Sequence, residues 1–133
     1  WSRRLSDVVR TRRLRAAGVR ASGDLSRGAA YGVMAGSLAT LNVHANQDGF
    51  TMRTFEAAGV GGLELVDRPE VSEFYEVGKE VLVFESVEEI VDAARRAQRE
   101  PAWADQVREA ARRRTLAEHT LEHRARALEA LWD

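Results

Sequence analysis

The sequence predicts an α/β fold in which a parallel sheet carries helices on both faces. Short apolar segments with β-branched residues alternate along the chain with segments of helical periodicity, and Pro or Ser opens several helical segments. This alternation is typical of parallel sheets, because each helix returns the chain to the edge where the next strand begins. With 133 residues, the chain is long enough for one domain with a modest core.

Three segments are predicted to be strands: Leu38–His44, Gly62–Asp67 and Val81–Phe84. The first reads LATLNVH, a nearly continuous apolar run with β-branched members. Such a run is typical of a parallel strand that is buried on both faces. We therefore expect both sides of this strand to be covered.

Helical segments are predicted between and after the strands. They cover residues 28–36, Thr51–Ala58 with an end on Gly59, a short helix opened by Pro69, and segments that begin at Val87, Pro101 and about Leu121. Ser86 and Glu89 form a capping box before the fourth. Its expected inward face is Val87, Ile90, Val91 and Ala94, and the expected core residues further on are Trp103, Val107 and Trp132.

The first 29 residues differ in charge from residues 30–133, and we treat the two stretches as separate regions. Residues 1–27 contain eight arginines against two aspartates. A weakly amphipathic helix over residues 2–16 and a short strand near Val19 are expected. No aromatic residues alternate with the arginines to stack bases, so a solvated helix is favoured over a nucleic-acid-binding face.

Composition excludes several classes of function. The chain has no cysteine, which excludes disulfides and thiolate chemistry, and its formal net charge is −1. It contains no apolar run of the roughly 20 residues that span a bilayer, and no signal-peptide pattern. We expect a cytoplasmic protein that binds no nucleic acid and has no transmembrane segment. The first residue is Trp rather than Met, which suggests a piece of a longer chain.

The turn after the first predicted strand has the features of an anion site. Ligands of parallel α/β sheets bind beyond the carboxyl ends of the strands. Here Gly49 precedes a helix start, where the N–H groups of Phe50, Thr51 and Met52 can face an anion. The guanidinium of Arg53 lies in the first turn and can bind a diphosphate through two hydrogen bonds.

Two acids and a histidine complete this candidate site. Glu56 shares a helix face with Arg53 and can accept hydrogen bonds from ribose hydroxyls. Asp48 can bind sugar hydroxyls, although the spacing alone fits a helix cap equally well. His44 ends the strand, and a sugar contact and a structural role are both open for it.

The segment DGFTMRTFEAAGVGG resembles the acid–seven–acid segment of group 1 glycosyltransferases, usually EGF followed by EAxAxG, because seven residues separate Asp48 from Glu56. The R-x-F-E variant is closer to the spore-maturation (CgeB-like) branch. The blocks ATLNVH, ELVDRPEVSEFYEVGKEVLVF and RRRTLAEHTLEHRARAL are similar to that branch as well. The resemblance covers about residues 30–132.

This resemblance implies the C-terminal, donor-binding Rossmann-like domain of a two-domain GT-B enzyme. Glu56 would hold the ribose, Asp48 the sugar hydroxyls, and Gly49–Thr51 with Arg53 the diphosphate of a nucleotide sugar. The implied reaction retains anomeric configuration and uses neither metal nor cofactor. The first acid is Asp rather than Glu, and Gly-x-Pro-Val is replaced by GVGG, residues 59–62.

The same resemblance implies that an acceptor-binding N-terminal domain is missing from this sequence. A basic residue that grips the diphosphate in such enzymes has no counterpart in residues 1–30. We expect the piece alone to be inactive, and a non-catalytic binding or structural protein with the same fold is the alternative.

Three further side chains are expected to be structural. His119 and His123 have metal-like spacing, but nothing nearby completes a coordination shell, so no metal is expected. Asp67 either reaches the cleft or caps the helix opened by Pro69, and the cap is favoured.

Overall fold

A computed structural model of the chain describes Gly18, residues 23–45 and residues 48–132. Contacts divide the chain into two units, Trp1–Ala30 and Tyr31–Asp133. Within the first unit, the described residues are Gly18 and residues 23–30, where a helix begins. The predicted helix over residues 2–16, the strand near Val19 and most of the arginine-rich segment lie outside the described residues.

The described residues form helices and a small sheet in alternating order. The helices are α1 (Arg27–Gly36), α2 (Met52–Gly59), α3 (Val87–Arg99), α4 (Pro101–Glu118) and α5 (Leu121–Glu129), with a 3-10 helix at Pro69–Glu73. The strands are β1 (Thr40–Asn42), β2 (Glu64–Val66) and β3 (Leu82–Val83). Both strand pairs, β1–β2 and β2–β3, are parallel, which confirms the predicted sheet.

Side chains of β2 alternate between two cores, one on each face of the sheet. Val66 packs against the first core, which consists of Ala58, Val66, Val71, Tyr75, Val81 and Ala111. Leu63 and Leu65 face the second core, which consists of Leu63, Leu65, Phe84, Ala97, Ala104 and Val107. Because α2 supplies the first core and α3 the second, helices cover both faces of β2. The predicted fold class is confirmed.

The expectation that the first strand is covered on both faces is wrong. In β1 and its extension, Asn42 and His44 are buried, whereas Leu41 is 48% and Val43 is 62% exposed. β1 is an edge strand of the described sheet, and α3 and the start of α4 cover the second face only as far as Ala39. The strands are also shorter than predicted, at Thr40–Asn42, Glu64–Val66 and Leu82–Val83.

The end of α2 differs from its predicted form in one detail. Gly59 is the last helical residue, and Gly61, with φ of +83°, adopts the left-handed conformation. The N–H of Gly62 donates to Ala57 O at 2.8 Å and the N–H of Gly61 donates to Ala58 O at 3.0 Å. This pair of bonds is a Schellman motif. It turns the chain directly from α2 into β2.

α3 begins where the sequence predicts, but its buried face agrees with the prediction only at Ile90. The capping box between Ser86 and Glu89 is present. However, Val87 is 68% and Val91 is 39% exposed, and the helix packs through Ile90, Ala93 and Ala97. The buried face differs from the predicted one because the small side chains of Ala93 and Ala97 let α3 approach the sheet closely. The prediction relied mainly on large apolar side chains and missed these two positions.

The last two helices confirm some of the expected core contacts. In α4, Val107 is buried and Trp103 packs against the second core, as expected. After α5, Trp132 is 84% exposed, so the expectation that it lies in the core is wrong. Nothing in the described residues packs over this end of the chain. No described helix is both long and apolar enough to cross a membrane.

We predict that Gly62→Ala destabilises the protein by roughly 1–3 kcal/mol, the usual cost of an overpacked site. A Cβ on Gly62 would lie 3.0 Å from Ala57 O and 3.1 Å from Met34 O, and backbone atoms cannot swing away. Urea unfolding measures the change.

The matched control is Gly32→Ala, inside α1, where a Cβ would meet nothing within 4 Å. It should stabilise by roughly 0.5–1 kcal/mol, because Gly is a poor helix former. Equal effects of the two substitutions would contradict the predicted close packing at Gly62.

Candidate functional site

The start of α2 has two free backbone donors at the carboxyl edge of the sheet. Thr51 is the N-cap, with φ −77° and ψ 157° and no side-chain cap bond, so the alternative role of Asp48 as the cap is excluded. The N–H of Thr54 donates to Thr51 O at 3.1 Å. The N–H groups of Met52 and Arg53 have no acceptor among the residues that the structure describes. They are available to an anion.

Arg53 and Glu56 border one open groove beside this helix start. The groove has a volume of about 530 Å³, and its walls are Leu41, Asn42, Val43, Thr51, Met52, Arg53 and Glu56. Arg53, which is predicted to bind the anion, and Glu56, which is predicted to bind the ribose, therefore line the same groove. The two exposed apolar residues of the edge strand, Leu41 and Val43, form its opposite wall.

The carboxylate of Glu56 is held by a residue that sequence reasoning missed. Tyr31 in α1 donates its hydroxyl to Glu56 Oε1 at 2.8 Å. The two residues are 25 positions apart. This hydrogen bond orients the carboxylate and leaves Oε2 without a hydrogen-bond partner among the described residues. Only the tertiary structure brings these two residues together.

Asp67 directly follows β2, and its carboxylate accepts hydrogen bonds from three donors in the residues just after β1. Its carboxylate accepts from the N–H of His44 at 2.8 Å, the N–H of Ala45 at 2.9 Å, and His44 Nδ1 at 2.9 Å. Burial opposes ionisation of Asp67, but these hydrogen bonds outweigh it and lower the pKa of Asp67 to about 2. The favoured interpretation of Asp67 as a helix cap is wrong, because the 3-10 helix is capped by Arg68 without a side-chain bond.

His44 lies beneath the turn rather than in the groove. The residue is 1% exposed, and its ring packs edge-on against Phe50 at 5.2 Å between centroids. Its Nε2 lies 3.4 Å from Thr51 N and 3.4 Å from Thr54 Oγ1. Of the two roles left open by the sequence, this geometry favours the structural one. It also engages the amide of Thr51, which was expected to face the anion.

Arg68 binds two backbone carbonyl groups between β1 and α2. Its guanidinium donates to Gly49 O at 2.9 Å and to Ala45 O at 3.4 Å. Ala45 has φ of +51° and Gly49 has φ of +69°, both left-handed. A left-handed alanine is destabilising by about 1–2 kcal/mol. The hydrogen bonds from Arg68, and the hydrogen bond from the N–H of Ala45 to Asp67, offset this destabilisation.

The remaining predicted site residues do not share the groove. Gly49 and Phe50 border a second depression of about 530 Å³, whose other walls are Phe55, Arg68, Glu70, Glu73, Phe74 and Arg124. Asp48 is exposed and forms no hydrogen bond or ion pair with any described residue. The structure thus separates Thr51, Arg53 and Glu56 from Gly49 and Phe50.

A buried carboxyl lies below the groove on β2. Glu64 is fully buried, and its Oε1 accepts from Asn42 Nδ2 at 3.1 Å, whereas Oε2 has no partner among the described residues. Burial raises the pKa of Glu64 from its ordinary value of 4.5 to about 8, and the bond from Asn42 offsets only part of this rise. Glu64 is therefore protonated at neutral pH. In the sequence it reads as one polar residue within an apolar strand.

The two C-terminal histidines have structural contacts, in keeping with the role expected of them. His119 Nε2 lies 3.0 Å from Phe74 O, and His123 forms a capping box with Thr120. Among the described residues, no cluster of three or more His, Cys, Asp or Glu side chains has the arrangement of a metal site.

The fold and the site define a parallel α/β domain with an open groove at the carboxyl ends of its strands. A family model with the description "Glycosyl transferase-like" matches residues 1–130. The chain therefore belongs to the glycosyl transferase-like family. No curated protein and no solved structure shows a significant match to it.

We predict that the free energy of unfolding falls as pH rises from about 4.5 to about 8. In this pH range Glu64 is ionised in the unfolded chain but protonated in the folded protein. Each pH unit therefore lowers the free energy of unfolding by up to roughly 1.4 kcal/mol. Glu64→Gln should abolish this fall, measured by urea unfolding at several pH values.

The control is Glu109→Gln on the exposed side of α4, which should keep the slope of the unsubstituted protein. An unchanged slope in Glu64→Gln would mean that Glu64 ionises in the folded protein as it does in water.

Proposed function

We propose that this chain is the donor-binding part of a glycosyltransferase that transfers a sugar from a nucleotide diphosphate sugar to an acceptor. The observation that carries the proposal is the groove that Arg53 and Glu56 share with the two free amides of α2. Family membership supports the class of reaction. The resemblance of the flanking segments to the spore-maturation branch supports a nucleotide sugar as donor.

The helix start supplies the charge stabilisation that this reaction needs. As the glycosidic bond to the diphosphate breaks, negative charge grows on the leaving phosphate oxygens. The N–H groups of Met52 and Arg53, the positive end of the helix dipole and the Arg53 guanidinium all favour that charge. Transfer with retention and without a metal is part of the proposal. The acceptor would bind to a domain outside this sequence.

Two carboxylates have separate roles in the proposed site. Glu56, oriented by Tyr31, accepts from a ribose hydroxyl through Oε2. Asp48, on the exposed turn, accepts from hydroxyls of the transferred sugar. His44 keeps no direct role in binding, because its side chain is fully buried.

A non-catalytic protein that retains the fold is the second candidate. The observation that favours it is Asp48, which is one methylene shorter than the glutamate usual in group 1 enzymes and has no described residue to orient it. A biological role that persists in the Arg53→Ala and Glu56→Ala variants would favour this candidate.

We predict that Arg53→Ala weakens binding of the donor roughly ten- to a hundredfold, because a charge-assisted hydrogen bond contributes about 1.5–3 kcal/mol. NMR titration with UDP-, GDP- and ADP-linked sugars, carried to millimolar concentration, measures the affinity. The matched control is Arg113→Ala, an exposed arginine of α4 away from the groove. Absence of binding by all of these sugars to the unsubstituted protein would refute the proposed function.

We predict that Tyr31→Phe weakens the same binding by about threefold to tenfold, because the lost hydrogen bond, of about 1.5–3 kcal/mol to a carboxylate, only orients Glu56 and acts on the ligand in part. The substitution leaves the Glu56 carboxylate in place but removes the 2.8 Å bond that orients it. Glu56→Gln should have the larger effect, because it replaces an acceptor of the ligand itself. The order of the two effects is the readout, and a larger loss in Tyr31→Phe would contradict the assignment of Glu56.

A further inference from the structure

We propose that His44 is a positioning residue whose tautomer sets the start of α2. Asp67 holds the proton on Nδ1, so that the bare Nε2 accepts from the N–H of Thr51 and fixes the N-cap. The consequence for donor binding rests on the proposed function, whereas the tautomer and its effect on the turn do not.

The contact with Asp67 determines which nitrogen carries the proton. Asp67 Oδ1 lies 2.9 Å from Nδ1, within hydrogen-bond distance. The same carboxylate accepts two backbone N–H groups, and its pKa of about 2 keeps it ionised at neutral pH. An ionised carboxylate can only accept, so Nδ1 must be the donor. In a neutral imidazole, Nε2 is then a bare acceptor.

The groups around Nε2 match that assignment. The N–H of Thr51, 3.4 Å away, is a donor and requires an acceptor opposite it. Thr54 Oγ1 accepts from Asn42 Nδ2 at 2.8 Å, which leaves its own proton for Nε2 at 3.4 Å. The opposite tautomer would set a lone pair against Asp67 and an N–H against the N–H of Thr51. Both contacts would be repulsive.

The position of His44 excludes a direct role in ligand binding. Its side chain is 0% exposed, and the Asp67 side chain is 17% exposed. His44 therefore acts through Thr51. By engaging the amide of Thr51, it fixes the backbone at the N-cap, and the next two amides, of Met52 and Arg53, have no acceptor among the described residues. A donor diphosphate would meet those two amides rather than the three expected from sequence.

The direct test is the ¹⁵N shift pattern of the His44 imidazole in the unsubstituted chain near neutral pH. We expect a pyridine-like Nε2 and a pyrrole-like Nδ1. A pyrrole-like Nε2, or a doubly protonated ring, overturns the proposal. This measurement needs no ligand, so it is independent of the proposed function. If the Nδ1–H form is found and no nucleotide sugar binds, the proposed function fails and the positioning role stands.

The Asp67→Asn variant tests whether Asp67 determines the tautomer of His44. An asparagine cannot accept from all three donors, so the ring should shift towards the Nε2–H form and the amide resonances of Thr51 and Met52 should move. Asp92→Asn, an exposed aspartate on α3, is the control and should change neither. An unchanged tautomer in Asp67→Asn overturns the proposal.

Two substitutions at His44 keep the proposal testable if Asp67→Asn does not fold. Gln can present an acceptor at the position of Nε2, and Asn can present a donor at the position of Nδ1. We expect His44→Gln to retain nucleotide-sugar affinity about threefold to tenfold better than His44→Asn, the range of one neutral hydrogen bond. Equal or reversed affinities would show that the acceptor towards Thr51 is not what matters.

Discussion

The carboxylate of Asp67 is the constraint on which the rest of the site depends. It stands at the end of β2 and binds the backbone of the neighbouring strand where that strand leaves the sheet, through the N–H groups of His44 and Ala45. Without it, the half-buried N–H of His44 would lose its acceptor, at a cost of about 1–3 kcal/mol, and the exposed N–H of Ala45 and Nδ1 of His44 would lose the same partner. The left-handed Ala45 donates its N–H to this carboxylate, and Arg68 binds the carbonyl oxygens of Ala45 and Gly49.

A second polar feature explains why the sheet face under α2 is not purely apolar. Asn42 on β1 donates to both Thr54 on the helix and Glu64 on the next strand. These contacts link α2 to the sheet by hydrogen bonds, which are directional, whereas apolar packing alone would let the helix slide. The buried, protonated Glu64 is the unfavourable part of this arrangement, because no described residue forms a hydrogen bond with its second oxygen. The groove above lies on a helix whose position is thereby tightly set, as a binding site requires.

The charges around the groove match its proposed ligand. In the proposed complex, the anionic phosphate would meet the positive helix end and Arg53, and the carboxylate of Glu56, one helical turn further on, would accept from hydroxyls. Tyr31 in α1 orients that carboxylate, so α1 supports a groove that is itself lined by residues of β1 and α2. The second depression, between Gly49 and Arg124, contains both arginines and glutamates and has no such separation of charge.

The sequence by itself determined the parallel α/β fold, the capping box at Ser86 and the position of Arg53 and Glu56 on one helix face, because these depend on periodicity and spacing within a few residues. Glycosyl transfer as the class of reaction was also readable, from the order of its motifs. Only the tertiary structure decided that Asp67 holds His44 rather than a helix, that Tyr31 holds Glu56, and that Trp132 and Val87 are exposed. Each of these depends on which residues from distant parts of the chain meet, and neither local periodicity nor residue type records that.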